Sequence, residues 1–444
     1  MGAHPITLRP YQRKCIADVR AAFTRCRRVV LVLPTGGGKT ATASVLMRSA
    51  WERGKKCLFL VHRREIVMDT MRRLRAAGVP CGVIMAGQPT TDAPVQVASV
   101  QTIAARDLHP EADLVIIDEV HHVVCATHTA IVEQYPDAYH LGLTATPERS
   151  DRQGLRDAFD EIVVGSTIRE LTELGALVPC DVLAPPKRRD ALSVTPLEAW
   201  QRWAGGRPTV AFLDSIDSSE TFVAELLVTG VRAAHLDGAT PLQERDRILG
   251  DFAAGRIDVL SNVFVLTEGW DSPRAKVCLL ARGTSSVGPY LQMIGRVLRP
   301  DGTGARALLI DLCGVVHQHG LPDEDRVWSL DGIKRTAEAT QWIRQCAVCG
   351  SVFEGQEWPE TCPSGHPFPA RPPRKVKPEE VARVTSVVSR GEQQRYFDEL
   401  SRAAERNGWK VTAVGMRFKM RFGFWPAGFR ASRAGDVTER GAVG

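Results

Sequence analysis

The chain has 444 residues, 44% of them hydrophobic and 24% charged, a globular composition long enough for two or three domains. No apolar stretch approaches the ~18 residues of a membrane span, and residues Met1 to Pro10 hold no hydrophobic signal core, so a cytoplasmic protein without membrane contact is expected. The net charge of +6 is uneven: from Arg371 onward 16 Lys/Arg stand against 8 Asp/Glu, a local +8 that leaves about −2 for the rest. A basic tail beside a near-neutral body suits contact with a polyanion, although a solvated face would carry the same charge. Most of the eleven cysteines, among them Cys57, Cys180, Cys278 and Cys313, sit inside apolar runs and read as small core hydrophobes in a reducing compartment.

Strand-like runs recur between helical stretches through the first 180 residues: Val29–Leu33, Leu58–Val61, Val95–Ser99, Leu114–Ile117 and His140–Leu143. That alternation predicts an α/β fold with a parallel sheet and crossover helices. The first run passes into Leu33-Pro34-Thr35-Gly36-Gly37-Gly38-Lys39-Thr40. A glycine-rich turn between strand and helix lets backbone N–H groups curl around phosphate oxygens. Lys39 would then reach the β/γ-phosphates, with the Thr40 hydroxyl placed for Mg²⁺. The strict G-x-x-x-x-G-K-[ST] pattern fails at its first position, which is Leu33.

The fourth run, Leu114 to Ile117, closes on Asp118-Glu119-Val120-His121-His122. Carboxylates at the carboxyl end of a buried strand stand where open α/β sheets place their ligands. Alone they could be helix caps or turn residues; with the phosphate loop upstream they supply a metal carboxylate. Loop and acidic strand end together predict an NTPase.

After Pro185-Pro186-Lys187-Arg188-Arg189 the alternation restarts, with Thr209–Leu213, Ala233–Leu236, Asp258–Asn262, Val277–Ala281 and Ala307–Asp311, and no second phosphate loop. A nucleotide held between two domains is the simplest arrangement of such halves. On a helix starting near Gly288-Pro289, residues Gln292, Arg296 and Arg299 fall at i, i+4 and i+7 and share one face, with Leu291, Ile294 and Leu298 offering the buried side.

Cys346-Ala347-Val348-Cys349 followed by Cys362-Pro363-Ser364-Gly365-His366 has the spacing of a zinc ribbon, in which two knuckles hold one structural Zn²⁺. Gly365 stands where a fourth cysteine would usually fall. Either His366 is the fourth ligand, or this copy has lost its metal and packs as an apolar hairpin. Pro367 to Pro378 reads as an extended linker. Beyond it Tyr396 to Arg430 alternates aromatics with cations, including Trp409, Arg417, Phe418, Phe422 and Trp425. Cations meet backbone phosphate and aromatic faces stack on bases; the alternative is that most of these aromatics form the module's own core and its arginines the contact surface.

In order, Arg9-Pro10-Tyr11-Gln12, Pro34 to Thr40, Val61-His62-Arg63, Ser99-Val100-Gln101-Thr102, Asp118 to His121, Thr144-Ala145-Thr146-Pro147, Thr267-Glu268-Gly269-Trp270-Asp271 and Gln292 to Arg299 resemble the motifs of the superfamily 2 helicases. The resemblance covers roughly residues 8 to 312. Within that superfamily, Gly154-Leu155 through Glu173-Leu174, Leu177-Val178-Pro179, His319-Gly320-Leu321-Pro322 and Trp328-Ser329-Leu330 are most similar to the RadD-like and phage helicases of the type III restriction group.

The resemblance implies two tandem RecA-like domains with ATP and Mg²⁺ in the cleft between them. It makes Thr35, Gly36, Gly37, Gly38, Lys39, Thr40, Gly269 and Asp271 nucleotide-binding residues and Gln12 the reader of adenine. Asp118 becomes the metal carboxylate, Glu119 the base that orients water, and Arg299 then Arg296 the arginine fingers. His121 would bridge to Gln292, Thr144 and Thr146 would couple ATP state to domain movement, and Arg63, Thr102 and Thr267 would contact the strand. His122 has no role in the pattern.

The expected activity is that of an ATP-dependent DNA helicase or translocase on branched or single-stranded DNA, in repair, recombination or replication. DNA is favoured over RNA because His121 replaces the final Asp of the DEAD-box branch. An RNA helicase, or an ATP-switched clamp that separates no strands, is the alternative. The expected layout is 1–184 and 185–335 for the two RecA-like domains, 336–370 for the ribbon, 371–395 for the linker, 396–430 for the basic module and 431–444 for a disordered tail, in a monomer whose protein partners are unspecified.

Overall fold

Val29, Leu31 and Leu33 belong to one apolar core and Val30 and Val32 to another. Successive side chains of a strand point to opposite faces, so a strand covered on both sides has to be apolar throughout. The same division separates Phe59 and Val61 from Leu58 and Leu60, and Ile116 from Val115 and Ile117. A computed structural model describes residues 7–62, 64–122, 132–149, 154–185, 194–267, 269–331, 343–346, 351–354, 359–362, 365–367, 390–407, 414–415 and 418.

The first sheet contains β1 (Arg28–Val32), β2 (Cys57–Val61), β3 (Cys81–Ile84), β4 (Val95–Ser99), β5 (Leu114–Ile117), β6 (Tyr139–Thr144) and β7 (Glu161–Val164), in the order β3-β4-β2-β5-β6-β1-β7. All its pairings are parallel. Helices Pro10–Ala22, Lys39–Trp51 and Arg64–Ala76 supply Val19, Met47 and Leu74 to one face; Val100–Arg106 supplies Ile103 to the other.

The second sheet contains β8 (Cys180–Leu183), β9 (Thr209–Leu213), β10 (Ala233–Leu236), β11 (Val259–Asn262), β12 (Val277–Ala281), β13 (Ala307–Asp311), β14 (Ile343–Gln345) and β15 (Ser351–Glu354), in the order β10-β11-β9-β12-β13-β8-β15-β14. It is parallel as far as β8; β15 then pairs antiparallel with both β8 and β14.

Two expected boundaries move. β8 was expected within residues 1–184, but it pairs with β13, and Val178 N already donates to Leu298 O at 2.8 Å. Only Val182 of its four residues is buried, so no apolar run announces the strand. The 336–370 segment does not stand apart either, because β14 and β15 extend the second sheet.

After β13 the chain returns to the first sheet. Leu155 N and Arg156 N donate to Leu330 O at 2.7 and 3.1 Å, and Arg156 Nε reaches Asp331 at 2.6 Å. Leu330, 2% exposed, completes the core on the outer face of the first sheet, so residues 321–331 strap the two sheets together.

Residues 371–444 form a separate compact unit. Its helix, Arg390–Asn407, begins inside the stretch expected to be linker. Helix-forming Glu, Gln, Arg and Ala dominate it, and Phe397, Leu400 and Ala404 recur at i, i+3 and i+7. Phe418 is fully buried, 5.8 Å from the Phe397 ring, and therefore belongs to the core of this unit. Trp409, Arg417, Phe422, Trp425 and the 431–444 tail lie outside the described residues. Among the described residues, no helix is long and apolar enough to cross a membrane.

Candidate active site

The turn after β1 is shaped by glycines. Gly36 and Gly38 have φ of 86° and 87°, in the left-handed region that side chains disfavour. A Cβ on Gly38 would stand 2.1 Å from Gln12 Nε2. Gln12 braces the loop from below: Nε2 donates to Gly37 O at 3.2 Å, Oε1 accepts from Arg9 N at 2.9 Å, and Tyr11 Oη adds a bond to Gly37 O at 3.1 Å. Its amide, expected to read adenine, is engaged on both sides by backbone and is 6% exposed.

The helix Lys39–Trp51 starts at Gly38, so its N-terminal N–H groups face a cleft of about 410 Å³. Thr35, Gly36, Gly38, Lys39, Thr40, Asp118 and Glu119 line it from the first sheet, and Gly269, Asp271, Arg296 and Arg299 from the second. The structure therefore gathers most of the expected nucleotide residues around one space. Gly37 is turned inward, its N–H donating to Pro34 O at 2.9 Å.

Asp118 is 6% exposed, and its N–H donates to Leu60 O at 2.9 Å. Glu119 follows at φ 48°, a conformation that costs a non-glycine residue roughly 1–2 kcal/mol. Its Oε1 is 3.3 Å from Lys39 Nζ and its Oε2 is 3.4 Å from His121 Nδ1. His121 Nδ1 also lies 3.0 Å from Thr144 Oγ1, and Nε2 lies 3.4 Å from the Gln292 amide nitrogen.

The tautomer follows from the neighbours. Thr144 Oγ1 donates to Thr146 O at 2.7 Å, so toward His121 it accepts, and Nδ1 carries the proton. Nε2 is then the ring's acceptor and faces the Gln292 amide nitrogen. A polar path thus runs from Lys39 through Glu119 and His121 to a helix of the second sheet. The His122 side chain lies outside what is described.

The expected polar helix face is not formed. The helix Val287–Ile294 stops at Gly295, so only Gln292 is helical, while Arg296 and Arg299 lie in the turn and segment beyond. Across the cleft, a Cβ on Gly295 would stand 2.5 Å from Thr35 Cβ, so the phosphate loop packs directly on this turn. Arg296 is 6% exposed; Nε and Nη2 donate to Thr267 O at 3.1 and 2.6 Å, and Nη1 donates to Trp270 O. Arg299 pairs with Asp271. Burial pushes the Arg299 guanidinium down from its ordinary range, against the pull of Asp271 and assisted by nearby Arg73.

Sequence reasoning missed Asp69, Arg72 and Arg73, which line the same cleft from the helix Arg64–Ala76. Arg73 Nε is 2.7 Å from Asp69. At i, i+4 the pair carries no signal beyond an ordinary helix-surface ion pair.

The expected strand contacts do not assemble among the described residues. Thr102 is 8% exposed, Thr267 is half-buried with its carbonyl taken by Arg296, and Arg63 lies outside the described residues. At the other end of the second sheet, ligand atoms of Cys346, Cys362 and His366 lie within 4.8 Å of one another, with Cys362 Sγ 3.4 Å from His366 Nδ1. A tetrahedral centre with bonds of ~2.0–2.3 Å separates its ligand atoms by about 3.3–3.8 Å, so these three fit one after a small adjustment. Cys349 lies outside the described residues.

Two parallel sheets, one bearing a phosphate loop and strand-end carboxylates and the other presenting arginines across a shared cleft, define a nucleotide-driven motor of two RecA-like domains. The family models for "Type III restriction enzyme, res subunit" and "Helicase conserved C-terminal domain" match residues 5–149 and 196–301. The chain belongs to the superfamily 2 helicases and is an ATP-dependent helicase.

It is 31% identical over 366 residues to a 51.5 kDa protein of a Lactococcus phage, covering 76% of this chain and 77% of that one. A DNA 3'-5' helicase XPB from Kineococcus radiotolerans is 26% identical over 337 residues, covering 66% of this chain and 58% of the relative. The helicase Lhr of Mycobacterium smegmatis, solved with single-stranded DNA and AMP-PNP, shares the fold at a TM-score of 0.53 and 18% identity, covering 70% of this chain and 49% of that one.

Proposed function

We propose that this helicase couples ATP hydrolysis to movement on, or remodelling of, branched or single-stranded DNA, in repair, recombination or replication. The observation that carries the coupling is the polar path Lys39–Glu119–His121–Gln292, which joins the hydrolytic carboxylate to the second sheet. The preference for DNA rests on the relative described as a DNA helicase.

In the proposed reaction Lys39 and the N–H groups of the phosphate loop hold the β/γ-phosphates. Thr40 and Asp118 would hold Mg²⁺, which neutralises charge on the phosphates when bound. Glu119 orients a water and takes its proton as the water oxygen bonds to the γ-phosphorus and the bond to the ADP oxygen breaks. Arg299, released from Asp271, reaches the γ-phosphoryl group, and Arg296 holds the 267–271 loop with a second positive charge behind it. Thr144 and Thr146 pass the change to the domain interface. Cys346, Cys349, Cys362 and His366 would hold one structural Zn²⁺, and the basic C-terminal unit adds grip on the polyanion.

Steady-state ATP turnover measured with single-stranded DNA, duplex, forked DNA and RNA, beside strand displacement, tests this reading. Stimulation by single-stranded or forked DNA is expected. Stimulation by RNA alone would remove the DNA assignment, and DNA stimulation without displacement would leave a translocase or an ATP-switched clamp.

A further inference from the structure

Phe264 is an aromatic residue where the backbone least favours one. It lies two residues past the end of β11, at φ 60°, and 60% of it is exposed. Non-glycine residues hold the left-handed region only where surrounding contacts enforce it. Here Asn262 does so. Wholly buried, it donates through Nδ2 to Ala211 O at 2.8 Å and accepts from Leu266 N through Oδ1 at 3.1 Å, which ties the base of the loop.

Arg282, the first residue after β12, crosses the end of β9 and lays its guanidinium carbon 3.5 Å from the centre of the Phe264 ring. Its Nε is buried without a hydrogen-bond partner, and burial lowers its pKa against the pull of Asp214 at the end of β9. Single exposed hydrophobics are ordinary. A strained, braced, exposed ring backed by an incompletely satisfied guanidinium at the carboxyl edge of a parallel sheet is not, because that edge is where such sheets take ligands.

We infer that Phe264, backed by Arg282, is a stacking platform for an unpaired nucleobase, with the guanidinium directed to the adjoining phosphate. One ring face is covered by the guanidinium while the residue stays 60% exposed, which leaves ring surface for a base to join the stack. The site also has a route to the nucleotide. Its loop continues to Thr267, whose carbonyl Arg296 holds, and then to Gly269 and Asp271 in the cleft. The inference rests on the proposal that the protein works on nucleic acid, and deepens it by naming a residue that contacts a base rather than the backbone.

The test uses the full chain with labelled oligothymidylate, oligouridylate and an abasic oligonucleotide of equal length, read by fluorescence anisotropy, together with Tm. Phe264→Gly removes the ring and relaxes the left-handed backbone. It should weaken binding of the base-bearing strands roughly tenfold while Tm holds or rises. Phe264→Trp should bind like the wild type, and the abasic strand should not distinguish wild type from Phe264→Gly.

Unchanged affinity in Phe264→Gly, or affinity and Tm falling together, would overturn the platform. Wild-type protein that binds oligouridylate and not oligothymidylate would remove the DNA assignment, while Phe264→Gly on that strand still decides the platform. Binding to none of the strands would overturn both.

Discussion

Gly295→Ala separates assembly of the cleft from integrity of either sheet. The added Cβ would stand 2.5 Å from Thr35 Cβ, 2.8 Å from Thr35 Cγ2 and 3.0 Å from Leu291 O. Carbon atoms in favourable contact are ~3.5–4.0 Å apart, so the phosphate loop and the arginine-bearing turn must part by about 1 Å. A displacement of about 1 Å between reacting groups costs ~10²-fold in rate. Turnover number should therefore fall by about that factor, while binding of a fluorescent ATP analogue changes little, because Lys39 and its loop stay on their own sheet. Gly288→Ala, whose Cβ would meet Thr146 Oγ1 at 3.0 Å, should fall between it and the wild type. Gly283→Ala meets nothing within 4 Å and serves as the neutral control. Steady-state turnover beside Tm is the assay. Turnover of Gly295→Ala within about threefold of wild type, in a folded protein, would refute the close seam and the ~1 Å reasoning.

Glu119→Gln should bind ATP and turn over negligibly; near wild-type turnover would remove Glu119 from its proposed role. Metal analysis of purified protein should find about one zinc per chain, lost in Cys362→Ser, whereas a metal-free and fully folded chain would contradict the ribbon. His140, 3% exposed with Nε2 2.8 Å from Tyr135 O, has its pKa held below the ordinary 6.5 by burial. The unfolded chain therefore binds the extra proton more readily. The stability this contributes is complete above about pH 6.5 and is lost as pH falls through the lower folded value. Tm measured from about pH 7.5 to 5 should show that decline, and His140→Gln should flatten it; an unchanged slope would place the titration elsewhere.

Legibility in the sequence followed uninterrupted apolar runs rather than burial. Val95–Ser99, Leu114–Ile117, Thr209–Leu213, Ala233–Leu236, Val277–Ala281 and Ala307–Asp311 are the strands that the apolar runs mark, residue for residue. β7 and β8 escaped because an acidic residue, Glu161 or Asp181, cuts short the apolar run of each four-residue strand, and β3, although buried throughout, because its four residues include a glycine. The phosphate loop and strand-end carboxylates were legible because local geometry alone places them at one sheet edge. Arg296 and Arg299 were legible as residues but not in conformation: helix periodicity alone did not register the turn at Gly295, where the loop of another domain packs closely. Asp69 and Arg73 were illegible, since only the approach of the second sheet turns a helix surface into a cleft wall.

The charges in the cleft carry an ordering of events. Lys39 and Glu119, whose side chains are 11% and 13% exposed, are paired at 3.3 Å, and Arg299 is held by Asp271. Removing one member of the largely buried Lys39–Glu119 pair leaves an uncompensated charge, and Arg299 is itself mostly buried beside a half-exposed Asp271, so a replacement anion favours the release of either cation. Phosphate oxygens are that anion for both. In the proposed reaction their arrival on Lys39 would free Glu119 to orient water, and their arrival on Arg299 would free Asp271 and the loop it belongs to. The first exchange needs only the first sheet, but the second needs the sheets together, because Arg299 and Asp271 both come from the second. A nucleotide bound to the phosphate loop alone would thus leave Arg299 paired and the transition state short of its charge. His121, 3.0 Å from Thr144 Oγ1 and 3.4 Å from the Gln292 amide nitrogen, would sense the same closure from the other side of Glu119 in the proposed reaction. The proposed hydrolysis would then be conditional on the contact between domains, which is what a motor requires if ATP is to be spent only in step with movement.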